Sequence, residues 1–171
     1  MNKIIRICMV LMLAMSIAAC GSKEPAAQQN EKQGETQIPN PWIDCGTLEE
    51  AAKIAGFDMT VPDRIDGYPN TTIQAMDKSV IQVFYSDKAL GEEGCKTVLI
   101  RKGLGEEDIS GDYNEYKENT TAEMNGVEVS LRGDGGLVYT ATWIRDGYSY
   151  SISADDGMSA EQIEELVEII K

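Results

Sequence analysis

TTAEMNGVEVSLRG, residues 120–133, decides the fold class of this chain. Asn125-Gly126 is the preferred residue pair for a two-residue type I′ hairpin turn. Counting outward from that turn gives three facing pairs on one side: Met124–Val127, Ala122–Val129 and Thr120–Leu131. Because side chains alternate between the two faces of a strand, this side is largely apolar and the other is polar. The stretch therefore predicts an antiparallel hairpin that buries one face.

LVYTATWIRDGYSYSISA, residues 137–154, repeats this arrangement around Asp146-Gly147. The facing pairs are Arg145–Tyr148, Trp143–Tyr150 and Ala141–Ile152. Asp134-Gly135-Gly136 joins the two hairpins, so the sequence predicts an antiparallel meander of four strands. We expect Trp143 and Tyr150 to belong to the core, whereas Tyr148 and Tyr139 could instead form a ligand platform.

The region before residue 105 predicts a short helix and further strands. In CGTLEEAAKIAGF, Thr47 and Glu50 form a capping-box pattern, and Gly56 stands where a left-handed helix end belongs. TTIQAM and SVIQVFYSD flank Asp77-Lys78 and predict a hairpin, and CKTVLIRKG predicts another strand.

The last segment, SAEQIEELVEIIK, predicts an amphipathic helix that begins with a capping box at Ser159 and Gln162. Its apolar stripe consists of Ile163, Leu166, Val167 and Ile170. This stripe needs a surface to cover, and the meander offers one. We therefore predict the α+β class: a curved antiparallel sheet with a short N-terminal helix and a C-terminal amphipathic helix packed on it.

The first 20 residues, MNKIIRICMVLMLAMSIAAC, have the order of a secretory signal. A basic start is followed by an apolar run of 13 residues, which is shorter than the about 20 that a membrane-spanning helix needs. Ile17-Ala18-Ala19-Cys20 resembles the lipobox of bacterial lipoproteins. The resemblance implies a diacylglyceryl group on the Cys20 thiol, with acyl chains such as palmitate, and cleavage just before Cys20. The alternative is an ordinary signal peptide with a chance cysteine.

Three regions follow from this organisation. Residues 1–19 are the predicted lipoprotein signal peptide. Residues 20–40 hold the lipidated Cys20 and a polar segment without aromatic residues, which predicts a disordered tether spanning about 25 Å. Residues 41–171 contain every aromatic side chain and are predicted to form a single α+β domain. The chain is then expected on the extracytoplasmic face of the cell membrane, anchored by lipid.

Composition excludes several function classes. Two of the 15 basic residues and none of the 29 acidic residues lie in the predicted signal, so the mature chain would carry a net charge of −16. Such a chain repels phosphate backbones, and we expect no nucleic-acid partner. The sequence contains no His, which removes Ser-His-Asp and Cys-His catalysis and His-based zinc sites. We expect no cofactor and no catalytic residues. The alternative is a carboxylate-based hydrolase of cell-wall or glycan material.

Cys45 and Cys95 remain outside the predicted signal and lipid site. In an oxidising compartment such a pair predicts a disulfide, here closing a loop of about 50 residues. Two free thiols are the alternative.

GLGEEDISGDYNEY, residues 103–116, is the candidate binding loop, with Asp108, Asp112, Tyr113, Asn114 and Tyr116 as its candidate residues. Three interpretations stay open: a calcium site, a solvated turn, and a loop whose tyrosines contact a ligand. The oxygens surround a glycine but lack the EF-hand spacing, and we predict no metal ligands here.

Residues 42–171 resemble an uncharacterised extracytoplasmic domain of Gram-positive-type surface lipoproteins and anti-sigma-like membrane proteins. RKGLGEEDISGDYNEY, MNGVEVSLRG and TATWIRDGYSYSIS carry the resemblance. It implies an α+β domain for sensing or interaction and brings no catalytic residues. The expected function is that of a lipid-anchored, non-enzymatic domain that binds a peptide, a protein or a small ligand.

Overall fold

A computed structural model describes residues 40–171. The predicted signal peptide, Cys20 and nearly all of the predicted tether lie outside the described residues. The elements in chain order are β1 (Ile43–Cys45), α1 (Leu48–Ala55), β2 (Asn70–Met76), β3 (Val80–Ser86), β4 (Thr97–Leu104), β5 (Glu118–Met124), β6 (Val127–Asp134), β7 (Leu137–Arg145), β8 (Tyr148–Met158) and α2 (Ala160–Ile169). No helix within this range is long and apolar enough to cross a bilayer.

All eight strands form one antiparallel sheet in the order β1-β2-β3-β4-β8-β7-β6-β5. The order describes two four-stranded meanders, β1–β4 and β5–β8, which are joined edge to edge by the pairing of β4 with β8. The two outermost strands are β1 and β5. The α+β class and the C-terminal meander predicted from the sequence are thus confirmed.

The hairpin registers are those that the turn residues predict. Met124 faces Val127 across the first turn, and Trp143 faces Tyr150 in the second hairpin; the other four predicted pairs are also present. Asn125 and Asp146 take positive φ angles of 49° and 54°, as a type I′ turn requires of its first central residue. The Asp77-Lys78 hairpin also forms, with Met76 facing Val80 across three residues.

Both predicted helices form, but the capping box of α1 is only half complete, because the Glu50 carboxylate accepts from the Gly46 amide at 2.7 Å and not from Thr47. The Thr47 side chain accepts a hydrogen bond from the Glu50 amide, and α1 ends at Gly56 with φ 84°. A complete capping box between Ser159 and Gln162 begins α2. The predicted stripe of α2 is buried.

The helices and the apolar face of the sheet enclose one core. α1 packs against β2 and β3, and α2 packs against β5, β7 and β8. The fully buried side chains include Ile81, Val83, Tyr85, Val98, Ile100, Val129, Ile152, Ile163, Val167 and Ile170. Trp143 and Tyr150, each 3% exposed, belong to this core, as predicted. The other face of the sheet, here called the polar face, carries no helix from residues 40–171.

The structure does not contain the predicted disulfide, since Cys45 and Cys95 are free thiols. Cys45 faces Ile73 on the edge pair β1–β2, whereas Cys95 lies in the loop before β4. Three strand spacings across the sheet and about five residue rises along it separate the two by roughly 20 Å, beyond the reach of a disulfide. Burial, with a smaller contribution from Glu50, raises the pKa of the Cys45 thiol. A spacing in sequence could not reveal this separation.

Candidate functional site

A chain of side-chain hydrogen bonds crosses the first meander on the polar face. Gln74 donates to Asp44 at 2.7 Å, and Gln82 donates to Gln74 at 2.6 Å. The Arg101 Nε then donates to Gln82 at 2.9 Å. These residues face one another across four neighbouring strands, so the register itself aligns the chain of bonds.

Residues 105–117, here called the crossover segment, connect β4 to β5. Since β8, β7 and β6 lie between those two strands, the connection has to pass over the sheet. Arg101 Nη1 holds its middle by donating to the carbonyl oxygens of Ile109 and Ser110 at 2.9 and 2.7 Å. Burial lowers the pKa of Arg101. The candidate binding loop therefore lies mostly within the crossover segment, which crosses the polar face like a strap and is also called the strap below.

A second arginine fastens the same segment from β6. Arg132 Nη2 donates to the Asp108 carboxylate at 3.2 Å and to the Ser110 hydroxyl at 3.0 Å. Its Nη1 donates to the Asp112 carbonyl at 3.3 Å. Two guanidinium groups from different meanders thus meet around Ser110, which is 5% exposed.

Asp112 is the most fully hydrogen-bonded of the candidate residues. Its carboxylate accepts from the Thr140 hydroxyl, from the Tyr116 hydroxyl at 2.7 Å, and from the Asn114 amide and side chain at 3.0 and 2.7 Å. Burial alone would raise the pKa of Asp112, but these hydrogen bonds outweigh it and the pKa is lowered. Asp112 therefore stays ionised and fixes the segment to β7.

The two tyrosines of the loop have different surroundings. Tyr116 is half-buried and stacks on Tyr139, with ring centroids 5.8 Å apart. Tyr113 is 96% exposed and leaves its whole ring for contact with a partner. Asp108, Asp112, Asn114 and Tyr116 are thus engaged within the loop, and Tyr113 alone of the candidate residues is free.

The oxygens that could suit calcium are already occupied by protein donors. Asp108 contacts Arg132 and the Ser110 amide, and Asp112 has the four hydrogen bonds described above. Within residues 40–171, no group of three or more Asp, Glu, Cys or His has an arrangement that could hold a metal ion.

A hollow of about 360 Å³ lies between the start of the crossover segment and the second meander. Glu106, Glu107 and Asp108 line one side of it. Its remaining lining is Glu128, Ser130, Thr142, Trp143, Ile144, Ser149 and Tyr150, from β6, β7 and β8. By strand alternation, hydroxyl side chains and the half-exposed Ile144 form its floor, whereas Trp143 and Tyr150 point to the core. A smaller hollow of about 300 Å³ lies beside Arg132 and Tyr113.

The hydrolase alternative gains no support from the titration of the carboxyl groups. A glycosidase acid requires a raised pKa. The carboxyl groups with a clearly displaced pKa in the described residues are Glu49, Asp87, Asp112 and Glu161, and each is lowered.

Lys102 is a buried cation on the apolar face, which sequence reasoning did not single out. It is 8% exposed, and its Nζ donates to the Asp58 carbonyl at 2.7 Å. Nζ lies 4.4 Å from the centre of the Tyr148 ring, with Phe57 and Tyr150 also within cation–π distance. Tyr148 therefore lies beside this cation on the core side of the sheet.

Compared with protein-family models, curated proteins and solved structures, the chain matches none. The fold and the site therefore define a class by geometry alone: an α+β domain with one helix-covered sheet face and one polar face crossed by an arginine-fastened strap.

Proposed function

We propose that this protein is a non-enzymatic binding domain, held by acyl chains on Cys20 at the extracytoplasmic face of the membrane. Its ligand, a peptide, a protein or a small molecule, occupies the hollow under the crossover segment. The observation that carries this proposal is the hollow itself, which combines carboxylates on one wall with hydroxyl groups on a rigid sheet.

The lining indicates the chemistry of the ligand. Glu106, Glu107 and Glu128 place three carboxylates around the hollow, besides Asp108, which is paired with Arg132. Three carboxylates without an arginine partner favour a cationic group. Ser130 and Thr142 offer hydroxyls that both donate and accept, and Ile144 offers apolar contact. A ligand with an ammonium or guanidinium group on an apolar stem, such as a basic side chain, fits this combination.

Preorganisation supports binding at this place. The strap is held by Arg101 and Arg132 before any ligand arrives, so little conformational entropy would be lost on binding. Tyr113 adds exposed aromatic area beside the neighbouring hollow.

Titration of the isotope-labelled protein, followed by amide NMR shifts, tests the proposal. The probes are Ac-Lys-Lys-NH₂, Ac-Glu-Glu-NH₂ and a chitin trisaccharide. We expect the dilysine probe to shift residues 128–130, 142–144 and 149, and the diglutamate probe to leave them unchanged. Glu128→Gln should weaken the dilysine shifts, and Glu165→Gln on α2 is the matched control. Equal shifts from both charged probes, or dilysine shifts scattered over the surface, would refute the cationic ligand. Cleavage of the trisaccharide would instead support the hydrolase.

Fractionation of the producing cells tests the anchor separately. Cys20→Ala should move the protein from the membrane fraction to the soluble fraction and remove the acyl mass from its N-terminus. Cys8→Ala, within the predicted signal, should change neither. An unacylated Cys20 in the mature protein would contradict the anchor, whatever the ligand titration shows.

A further inference from the structure

The outer edge of β5 presents backbone groups that have no partner among the described residues. Among residues 40–171, β5 is the last strand of the sheet and pairs with β6 alone. The two-residue turn makes Met124–Val127 a hydrogen-bonded pair, and such pairs alternate along an antiparallel ladder. The N–H and C=O groups of Asn119, Thr121 and Glu123 therefore point away from β6.

This edge is accessible along most of its length. Residues 118–121 and Glu123 are exposed, and nothing in the described chain covers them. Exposed edges are templates for another strand, and natural proteins commonly protect them with charge. The sign of the charge along the β5 edge indicates the charge of the strands that could pair with it.

Carboxylates flank the edge from two elements. β5 itself carries Glu118 and Glu123 and has no basic residue. α2 lies alongside, because Ala160 lines a hollow with Glu118, and the Asn125 side chain donates to the Glu164 carbonyl at 3.1 Å. α2 also has no basic residue.

One more carboxylate, that of Glu164, lies on the side of α2 that is near β5. The helical period puts Glu164 beside Ala160, whereas Glu165 and Ile169 line a hollow with Tyr68 on the other side. Beyond Glu164 the helix runs towards β7, since Arg145 Nη1 donates to the Ile170 carbonyl at 3.2 Å.

We propose that the β5 edge docks an extended basic segment of a partner protein, which joins the sheet as a ninth strand. The ladder groups of Asn119, Thr121 and Glu123 supply hydrogen bonds. Lys or Arg side chains of the segment reach Glu123 of β5 and Glu164 of α2. A second copy of this chain suits the edge poorly, since it would bring acidic strands and a strongly negative domain together. This surface is separate from the hollow on the polar face.

Binding of a labelled peptide of about ten alternating Lys and Thr residues to the full-length protein tests the proposal. Two changes interrupt the ladder without altering charge. One is a matched peptide that is N-methylated at alternate amides. The other is Thr121→Pro, which removes an outward N–H that β6 does not use. Each should weaken binding by about tenfold, since the strand hydrogen bonds supply the affinity.

A charge-matched pair of variants tests the acidic side of the edge. Glu164→Lys should weaken binding several-fold more than Glu165→Lys, its neighbour on the far side of α2. Failure of the Lys-Thr peptide to bind, equal binding of the N-methylated peptide, or equal effects of the two lysine variants would overturn the proposal. A dimer that Thr121→Pro abolishes, seen by sedimentation, would also overturn it in favour of a second copy. If Thr121→Pro does not fold, the N-methylated peptide and the lysine variants decide.

Discussion

Asp112→Ala should destabilise the protein by about 3 kcal/mol, because it removes the acceptor for several donors at once. The Thr140 hydroxyl is the most affected, since Thr140 is 1% exposed and water does not replace the lost partner. An unpaired buried donor costs about 1–3 kcal/mol, and the half-buried Tyr116 hydroxyl adds about 1 kcal/mol. The donors of Asn114 are exposed and turn to water, so they contribute little.

Urea denaturation, followed by circular dichroism and tryptophan fluorescence, measures this effect as a shift in midpoint at constant slope. Tyr113→Ala is the control in the same loop, and it should cost under about 0.5 kcal/mol because the ring touches little. In a double-mutant cycle, Asp112→Ala and Thr140→Val should couple by at least about 1 kcal/mol.

The pH dependence of stability follows from the same contacts. The folded-state pKa of Asp112 is lowered, so its contribution is present above the unfolded pKa of about 3.9 and is lost as the pH falls through the folded value. Asp112→Asn should flatten the acid limb of the stability profile. If Asp112→Ala costs no more than Tyr113→Ala, the strap does not depend on this carboxylate and the reasoning fails.

Three further predictions concern other parts of the fold. Gly133→Ala should cost several kcal/mol of stability, because a Cβ there would lie 1.8 Å from the Leu137 carbonyl oxygen. Gly135→Ala is the matched control: its Cβ meets open space, and it should cost about 1 kcal/mol for its positive φ. Equal thermal midpoints for the two variants would contradict this prediction. Burial lowers the pKa of Lys102, and Asp58 and Asp146 oppose this, so Lys102 loses its proton at a lower pH in the folded protein than in the unfolded chain. The wild type should therefore gain stability relative to Lys102→Met as the pH rises from 7 towards about 10. A constant difference between their urea midpoints over this range would refute the prediction. Ser159→Ala should cost about 1 kcal/mol through loss of the α2 cap, measured by the same denaturation, and an unchanged midpoint would show that the cap is dispensable.

Local turn chemistry explains why much of the fold could be predicted from the sequence. Asn125-Gly126 and Asp146-Gly147 each permit few registers, and the apolar alternation on both sides selects the same one. The caps of α1 and α2 are likewise decided within four residues. In each of these places neighbouring residues carry all the information that the structure uses.

The pairing of β4 with β8 could not be predicted in this way. Nothing near either strand names the other as its partner, because the contact joins segments about fifty residues apart and depends on the apolar faces of both meanders. Because β4 pairs with β8, residues 105–117 have to cross the sheet to reach β5. The residues of this acidic stretch alone could therefore not show that it crosses the polar face.

The arginines that hold the strap were missed for a related reason. Arg101 and Arg132 occupy polar-face positions of their strands, where a basic residue is usually exposed. The available indication was their alternation, since each follows an apolar residue that faces the core, Ile100 or Leu131. For Cys45 and Cys95 the sequence identifies the two residues but not their places in the sheet.

The join between β4 and β8 has a consequence for biogenesis. During synthesis the first meander emerges early, yet its inner border stays without a partner until the final strand has left the ribosome. For that interval the edge of β4 has no strand to pair with, although β4 lies in the middle of the finished sheet. Pairing between segments so far apart in sequence is expected to form slowly and late. Loss of residues 148–171 would thus remove β8 and α2, and with β8 the pairing that joins the two meanders into one sheet.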